Sequence, residues 1–214
     1  MINGINSREM ILEILLEIEE GEHSHVAIRN ALSKYQFLPK QDRAFITRVC
    51  EGTLEYRIQI DYIINSFSKV TVDKMKPAIR EILRSAVYQL KYMDSVPDSA
   101  VCNEAVKLAQ RKGFYNLKPF VNGVLRTIAR EMDQVRFPQK EDDLLKYLSV
   151  KYSMPEVLVT RWLEAYGEET TEKILADFLM EHPLTIRCRT YLNSKEEVIK
   201  SLESQGVHVA PAPY

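Results

Sequence analysis

An apolar side chain returns every three or four residues along almost all of the first 180 positions, and that spacing restricts the chain to amphipathic helices packed on one another. Met10, Ile11, Ile14, Leu15 and Ile18 share one helical face, with Asn6 and Glu9 spaced as a capping box before it and Gly21 after it. A short amphipathic stretch runs from Val26 to Lys34. Pro39 sits at a first-turn position before a long helix bearing Phe45, Ile46, Val49, Leu54 and Tyr56, and Ile60, Ile63, Ile64 and Phe67 continue in a further one. Ile79, Ile82, Leu83, Ala86, Val87 and Leu90 mark a helix closed by the turn Ser95-Val96-Pro97-Asp98. Val101, Ala105, Leu108 and Ala109 precede Gly113, and Pro119 opens a helix carrying Val121, Val124, Leu125 and Ile128.

Residues 133–143 (DQVRFPQKEDD) break this pattern with a proline and a run of charge, so a first domain is expected over 1–133. Three shorter helical segments follow, at 141–150, 155–166 and 169–180, with Trp162 as the expected anchor of a connecting subdomain over 134–181. At His182-Pro183 the period changes. LTIRCRTYL reads as a strand, SKEEVIKSLESQG as a helix and VHVAP as a second strand, the start of an α/β subdomain over 182–214. Two strands alone are marginal, so the chain reads as ending inside a domain. The expected class is mainly α: an all-α bundle, a small helical segment and an incomplete β-α-β unit.

Composition removes several function classes. The seven glycines are never closer than ten residues, whereas a loop that cradles a nucleotide needs them clustered within about six. Cys50, Cys102 and Cys188 are an odd number without a C-x-x-C pair, which argues for a reducing, cytoplasmic setting and against a disulfide framework or structural zinc. His23 and His25 lack a carboxylate or cysteine at ligand spacing, and no metal is expected. The first residues lack the pattern of a signal peptide, and no apolar run approaches the ~20 residues that span a bilayer, so no membrane partner is expected.

Net charge is −1, a total that conceals its distribution. Residues 1–22 hold one basic and six acidic side chains; residues 23–130 hold eighteen and nine, a net of +9; residues 131–181 hold six and twelve; and residues 182–214 hold four and three. A basic helical block between acidic segments suits a nucleic-acid backbone, whose counterions it would release, and equally suits an ordinary solvated face.

Several stretches together resemble the NusB-like family. NSREMILEIL is similar to its first helix, KQDRAFITRVCEGTLEYRIQIDYII to its D-R…V-x-G-x-L segment, and VPDSAVCNEAVKLAQ followed by KPFVNGVLRTIARE to its V-P…A-x-x-E-A-V-x-L-A and F-V-N-G-V-L helices. The resemblance covers residues 6–132 and implies two antiparallel three-helix layers that bind ribosomal RNA or its precursors. YLSVKYSMPEVLVTRWLEAYGEE and HPLTIRCRTYLNSKEEVIKSLESQGV resemble the segments that follow this domain in bacterial 16S ribosomal RNA cytosine-C5 methyltransferases of the Sun/RsmB type. Arg189 stands where that family's P-L-x-x-R-x-N pattern has asparagine. Such enzymes carry an S-adenosylmethionine loop and two catalytic cysteines further along. Neither the loop nor the Pro-Cys and Thr-Cys motifs occurs here, so the resemblance implies the RNA-recognition part of a methyltransferase, not itself catalytic, with S-adenosylmethionine belonging to the full-length parent and 16S ribosomal RNA as partner. The competing resemblance is to an antitermination factor that binds RNA and a ribosomal protein, which would end near residue 135.

Eleven cations are candidate RNA contacts. Arg8 opens the first helix, where the family uses arginines to hold RNA, although a plain surface role competes. Lys40, Arg43 and Arg48 start the long basic helix, with Asp42 as an alternative partner. Arg111, Lys112, Lys118, Arg126 and Arg130 surround the F-V-N-G-V-L segment; Arg126 and Arg130 lie four apart on one face and cannot pair with each other. Arg187 and Arg189, two apart on an expected strand, would share a face. Asn122-Gly123 looks like a recognition feature, but close helix packing and a side-chain bond to the backbone explain it better. Cys188 precedes any catalytic domain and is not a nucleophile, and Tyr88, Tyr92 and Tyr115 either pack in the core or stack on bases.

Overall fold

The computed structural model describes residues 6–180 and 183–211, and these divide into two units, Met1–Ala176 and Asp177–Tyr214. His182, where the sequence period changes, lies outside the described residues. The helices are α1 (Ser7–Glu19), α2 (Ser24–Lys34), α3 (Lys40–Glu55), α4 (Arg57–Phe67), α5 (Pro77–Tyr92), α6 (Asp98–Arg111), α7 (Lys118–Glu131), α8 (Leu144–Lys151), α9 (Glu156–Phe178) and α10 (Lys195–Ser204). No described helix is long and apolar enough to cross a membrane.

The first unit is built around α5, which packs against α1, α3, α4, α6 and α7. Its apolar face (Ile79, Ile82, Leu83, Ala86 and Val87) is buried with Ile11, Leu12 and Leu15 of α1, Ile46 and Val49 of α3, Ile60, Ile63 and Ile64 of α4, and Leu125 and Ile128 of α7. Each isoleucine, leucine or valine side chain so removed from water contributes about 1.5–3 kcal/mol. Neighbours surround α5 so completely that Glu81, Arg84, Ser85 and Gln89 are buried too. Buried charge must be paired. Arg84 donates to Asp61 on α4 through Nε at 2.7 Å and Nη2 at 2.6 Å, and through Nη1 to Glu81 at 2.5 Å.

Helix ends follow local chemistry. Asn6 caps α1 by accepting the Arg8 amide at 2.9 Å. The reciprocal half of the expected capping box is replaced by longer-range attraction, since the Glu9 carboxylate lies 3.2 Å from Lys112 Nζ. A full capping box occurs instead at Ser194 and Glu197 on α10. Near the middle of α9, Gly167 adopts φ 73°, ψ 174° and breaks the helix, as the glycine between the two expected segments implies. Between α7 and α8, Phe137 stacks on Tyr62 at 5.7 Å and the Tyr62 hydroxyl donates to the Arg136 carbonyl at 2.7 Å. Leu148, Val159 and Leu175 form a second small core, with Trp162 packed against it.

In the second unit α10 forms as expected, but residues 183–192 and 207–211 form no strand among the described residues. This corrects the β-α-β expectation. A strand exists only when its backbone groups pair with a neighbour, and here Leu184, Ile186, Tyr191, Leu192 and Val207 all remain exposed.

Candidate nucleic-acid interface

The structure sorts the first unit's candidate cations by what already holds them. Arg8 is half-buried. Its Nε donates to Gln89 Oε1 at 3.2 Å, its guanidinium lies 5.2 Å from the Phe45 ring centroid, and burial, opposed by Glu104, lowers its pKa. Arg8 is therefore tied to α3 and α5 more than presented outward. Arg43 donates to the Leu32 carbonyl at 2.9 Å and so fastens the end of α2. Asp42, the alternative partner considered for α3's cations, accepts the Ser7 hydroxyl at 3.4 Å.

Arg111 and Lys112 face α1, with Arg111 3.8 Å from Glu9 and Lys112 at 3.2 Å from Glu9 and 3.0 Å from Glu13. These contacts, first the Glu13 hydrogen bond, raise the Lys112 pKa. Arg130 pairs with its neighbour Glu131 at 2.6 Å, so the repulsion expected from a like-charged i, i+4 pair is relieved within the helix.

Among the first unit's candidate cations, Lys40 and Arg48 on α3, Lys118 at the start of α7, and Arg126 make neither an ion pair nor a hydrogen bond to another helix among the described residues. Arg126 donates to the Asn122 amide oxygen at 2.9 Å, which orients the guanidinium without neutralising it. Lys40, Ala44, Arg48, Glu51 and Glu55 form the exposed stripe of α3. Its cations occupy the first half and its acids the second, opposite to what the helix dipole favours.

Asn122-Gly123 differs from its close-packing reading. A Cβ at Gly123 would meet nothing within 4 Å, and Asn122 is occupied by Arg126. The close approach occurs at Gly52 on α3, where a Cβ would lie 2.1 Å from the Tyr88 ring. Tyr88 and Tyr92 stack with Tyr56 inside the bundle, while Tyr115 is 61% exposed. The His23 and His25 rings lie 5.9 Å apart, and no group of metal-ligating side chains occurs among the described residues. In the second unit, Arg187 and Arg189 are exposed; without a strand, the alternation that would align them on one face is absent.

An all-helical block of this order is matched over residues 5–130 by the NusB family model. The chain belongs to the NusB family. After the NusB-family block, residues 154–214 match the model described as Methyltr_RsmF/B-like, ferredoxin-like domain. A Bacillus subtilis (strain 168) protein named "Probable ribosomal RNA small subunit methyltransferase B" is 32% identical over 202 residues, covering 94% of this chain and 44% of the relative. The "Transcription antitermination protein NusB" of Dictyoglomus thermophilum is 33% identical over 130 residues, 60% of this chain and 85% of that protein. A solved structure described as "Crystal Structure of PH0851" shares the fold, with a TM-score of 0.68 at 23% identity over 98% of this chain and 47% of that one. The chain thus spans less than half the length of the methyltransferase relative it matches.

Proposed function

We propose that this chain is the RNA-recognition region of an S-adenosylmethionine-dependent 16S ribosomal RNA cytosine-C5 methyltransferase. The observation that carries the reading is the union, in one polypeptide, of a NusB-family block at 5–130 with a Methyltr_RsmF/B-like match at 154–214. Exposed cations of the first unit take the phosphate backbone, led by Lys40 and Arg48 on α3 and by Lys118 and Arg126 on α7. Arg8, Arg43, Arg111, Lys112 and Arg130 serve as weaker contacts, since each already has an internal partner. Arg187 and Arg189 offer a second basic surface. Binding energy from such a remote surface orients a target cytosine for chemistry done elsewhere.

S-adenosylmethionine does not fit the residues present. No described loop clusters glycines, and burial pushes up the thiols of Cys50 and Cys102, the reverse of what a cysteine nucleophile requires. No methyl-transfer step is assigned to this chain. In this reading that step belongs to the portion of the methyltransferase relatives that the chain does not match.

A salt titration tests the reading. Affinity for a hairpin of small-subunit ribosomal RNA is expected to fall steeply as salt rises, and Arg126→Glu with Arg130→Glu is expected to weaken binding about tenfold or more, a loss of ~1.4 kcal/mol. Salt-independent affinity, or an unchanged double variant, would remove the proposed surface. A second reading, an antitermination factor acting with a ribosomal protein, draws on the NusB-family block alone. It leaves residues 154–214 without a role.

A further inference from the structure

The connection between α2 and α3 carries an aromatic platform that none of the cation arguments required. The chain turns at Tyr35–Leu38, where the Leu38 N–H donates to the Tyr35 carbonyl at 3.1 Å. Leu38 is buried and Tyr35 packs against the same core, so both ends of the turn are anchored. Arg43, by donating to Leu32, ties the helix before the turn to the helix after it. The ring between these anchors, Phe37, is 56% exposed. It meets Tyr35 edge-on, at 6.0 Å and 79°, and a contact of that kind leaves a face of Phe37 open.

The charged side chains of the Lys34–Lys40 loop are both cations. Lys34 sits 5.7 Å from the Tyr35 centroid and Lys40 begins α3, both exposed and neither in an ion pair among the described residues. The nearest carboxylate in the sequence, Asp42, is engaged by Ser7. A ligand complementary to this loop must present a flat π-surface and negative charge on either side of it. An acidic peptide supplies the charge without the plane, and a duplex keeps its bases stacked inside. An unpaired nucleotide in a single strand supplies both.

We propose that the Lys34–Lys40 loop is a stacking site for single-stranded RNA, with an unpaired base on Phe37 and the flanking phosphates on Lys34 and Lys40. The site deepens the RNA-binding reading above and rests on it. It adds preference for unpaired RNA to an otherwise sequence-blind electrostatic surface.

Two labelled probes, a short oligouridine and an RNA duplex of the same length, test it by fluorescence anisotropy on the 214-residue chain. Phe37 is exposed, so Phe37→Ala is expected to fold; it should weaken oligouridine binding about tenfold and change duplex binding little. Phe37→Trp should retain oligouridine affinity, with indole emission that is quenched as RNA is added. Lys34→Glu with Lys40→Glu should weaken both probes. An oligouridine affinity unchanged in Phe37→Ala, while the unaltered chain binds and responds to salt, overturns the stacking site and leaves the broader reading standing. Equal losses on both probes in Phe37→Ala overturn it as well, by assigning the ring a structural role. An unaltered chain that binds neither probe overturns both.

Discussion

Lys112, just past the end of α6, reaches Glu13 on α1 at 3.0 Å across 99 positions of sequence. With Glu9 joining at 3.2 Å, the acidic first helix and the basic block after it are partly each other's counterions. The first helix therefore masks part of the surface it borders. An anion arriving at the end of α6 competes with two carboxylates already there.

Removing that competition should strengthen RNA binding. Glu9→Gln with Glu13→Gln is expected to raise affinity for RNA and to steepen the slope of log K against log salt by about 1, because one further cation becomes able to release counterions. Thermal stability should change by less than about 1 kcal/mol, since the pairs are partly exposed. Anisotropy titrations at several salt concentrations, beside a melting curve, check both. A weaker-binding double variant contradicts the masking.

The core offers the opposite case. Arg84 serves two carboxylates at once, and Glu81 is 3% exposed. Arg84→Met leaves that carboxylate buried without its cation and is expected to cost about 3–5 kcal/mol in urea unfolding near neutral pH. Burial already raises the Glu81 pKa against the opposing pull of Arg84. Without the guanidinium it should rise further, so the deficit should shrink as pH falls and the carboxyl takes up a proton.

Two glycines should respond in opposite directions. Gly52→Ala places a methyl 2.1 Å from the Tyr88 ring, and Tyr88 is held by Tyr56 and Tyr92. Overpacking of about 1–3 kcal/mol should exceed the gain in helix propensity. Gly123→Ala meets open space in the middle of α7, and a gain of about 0.5–1 kcal/mol is expected. Chemical denaturation of both variants measures the contrast.

Much of the fold was legible because helices announce themselves locally. Pro39, Gly113, Pro119 and Gly167 punctuate the chain where the structure starts or stops its helices, and the apolar stripes point to the core that forms. The charge relationships were not legible. Spacing assigns Glu9 to its own helix terminus, yet it turns to Lys112, a residue that only the packing of α1 on α6 brings near. Arg84 counts by sequence among the cations of the +9 block, yet its guanidinium is consumed in the core. The alternation in 184–192 suggested a strand, but alternation specifies only a face, and pairing requires a neighbour that the described residues do not provide. Phe37 carries no periodic signal, since its exposure depends on Tyr35 and Leu38 turning inward around it.

Acid should loosen the α8–α9 region before the main bundle. Hydrogen bonding by Lys151, opposed by burial and supplemented by Lys140 and Tyr152, lowers Glu172 from its ordinary 4.5 to about 2. A carboxylate whose folded pKa lies below its unfolded one contributes stability that is complete above about 4.5 and is lost as pH falls toward 2. Lys140 and Lys151 are partly exposed, and solvent screening limits the contribution to about 1 kcal/mol. Glu172→Gln should lower stability by that amount at pH 7 and leave it unchanged near pH 2, read as the difference between two pH–stability curves.

Ultraviolet crosslinking of the chain to a small-subunit ribosomal RNA hairpin, followed by peptide mapping, tests the central claim most directly. Crosslinked peptides are expected from the Lys34–Arg48 region and from α7 around Lys118–Arg126, with signal that disappears at high salt. Crosslinks confined to residues 140–176, or none at any salt, would contradict the assignment of RNA recognition to the exposed cations of the NusB-family block.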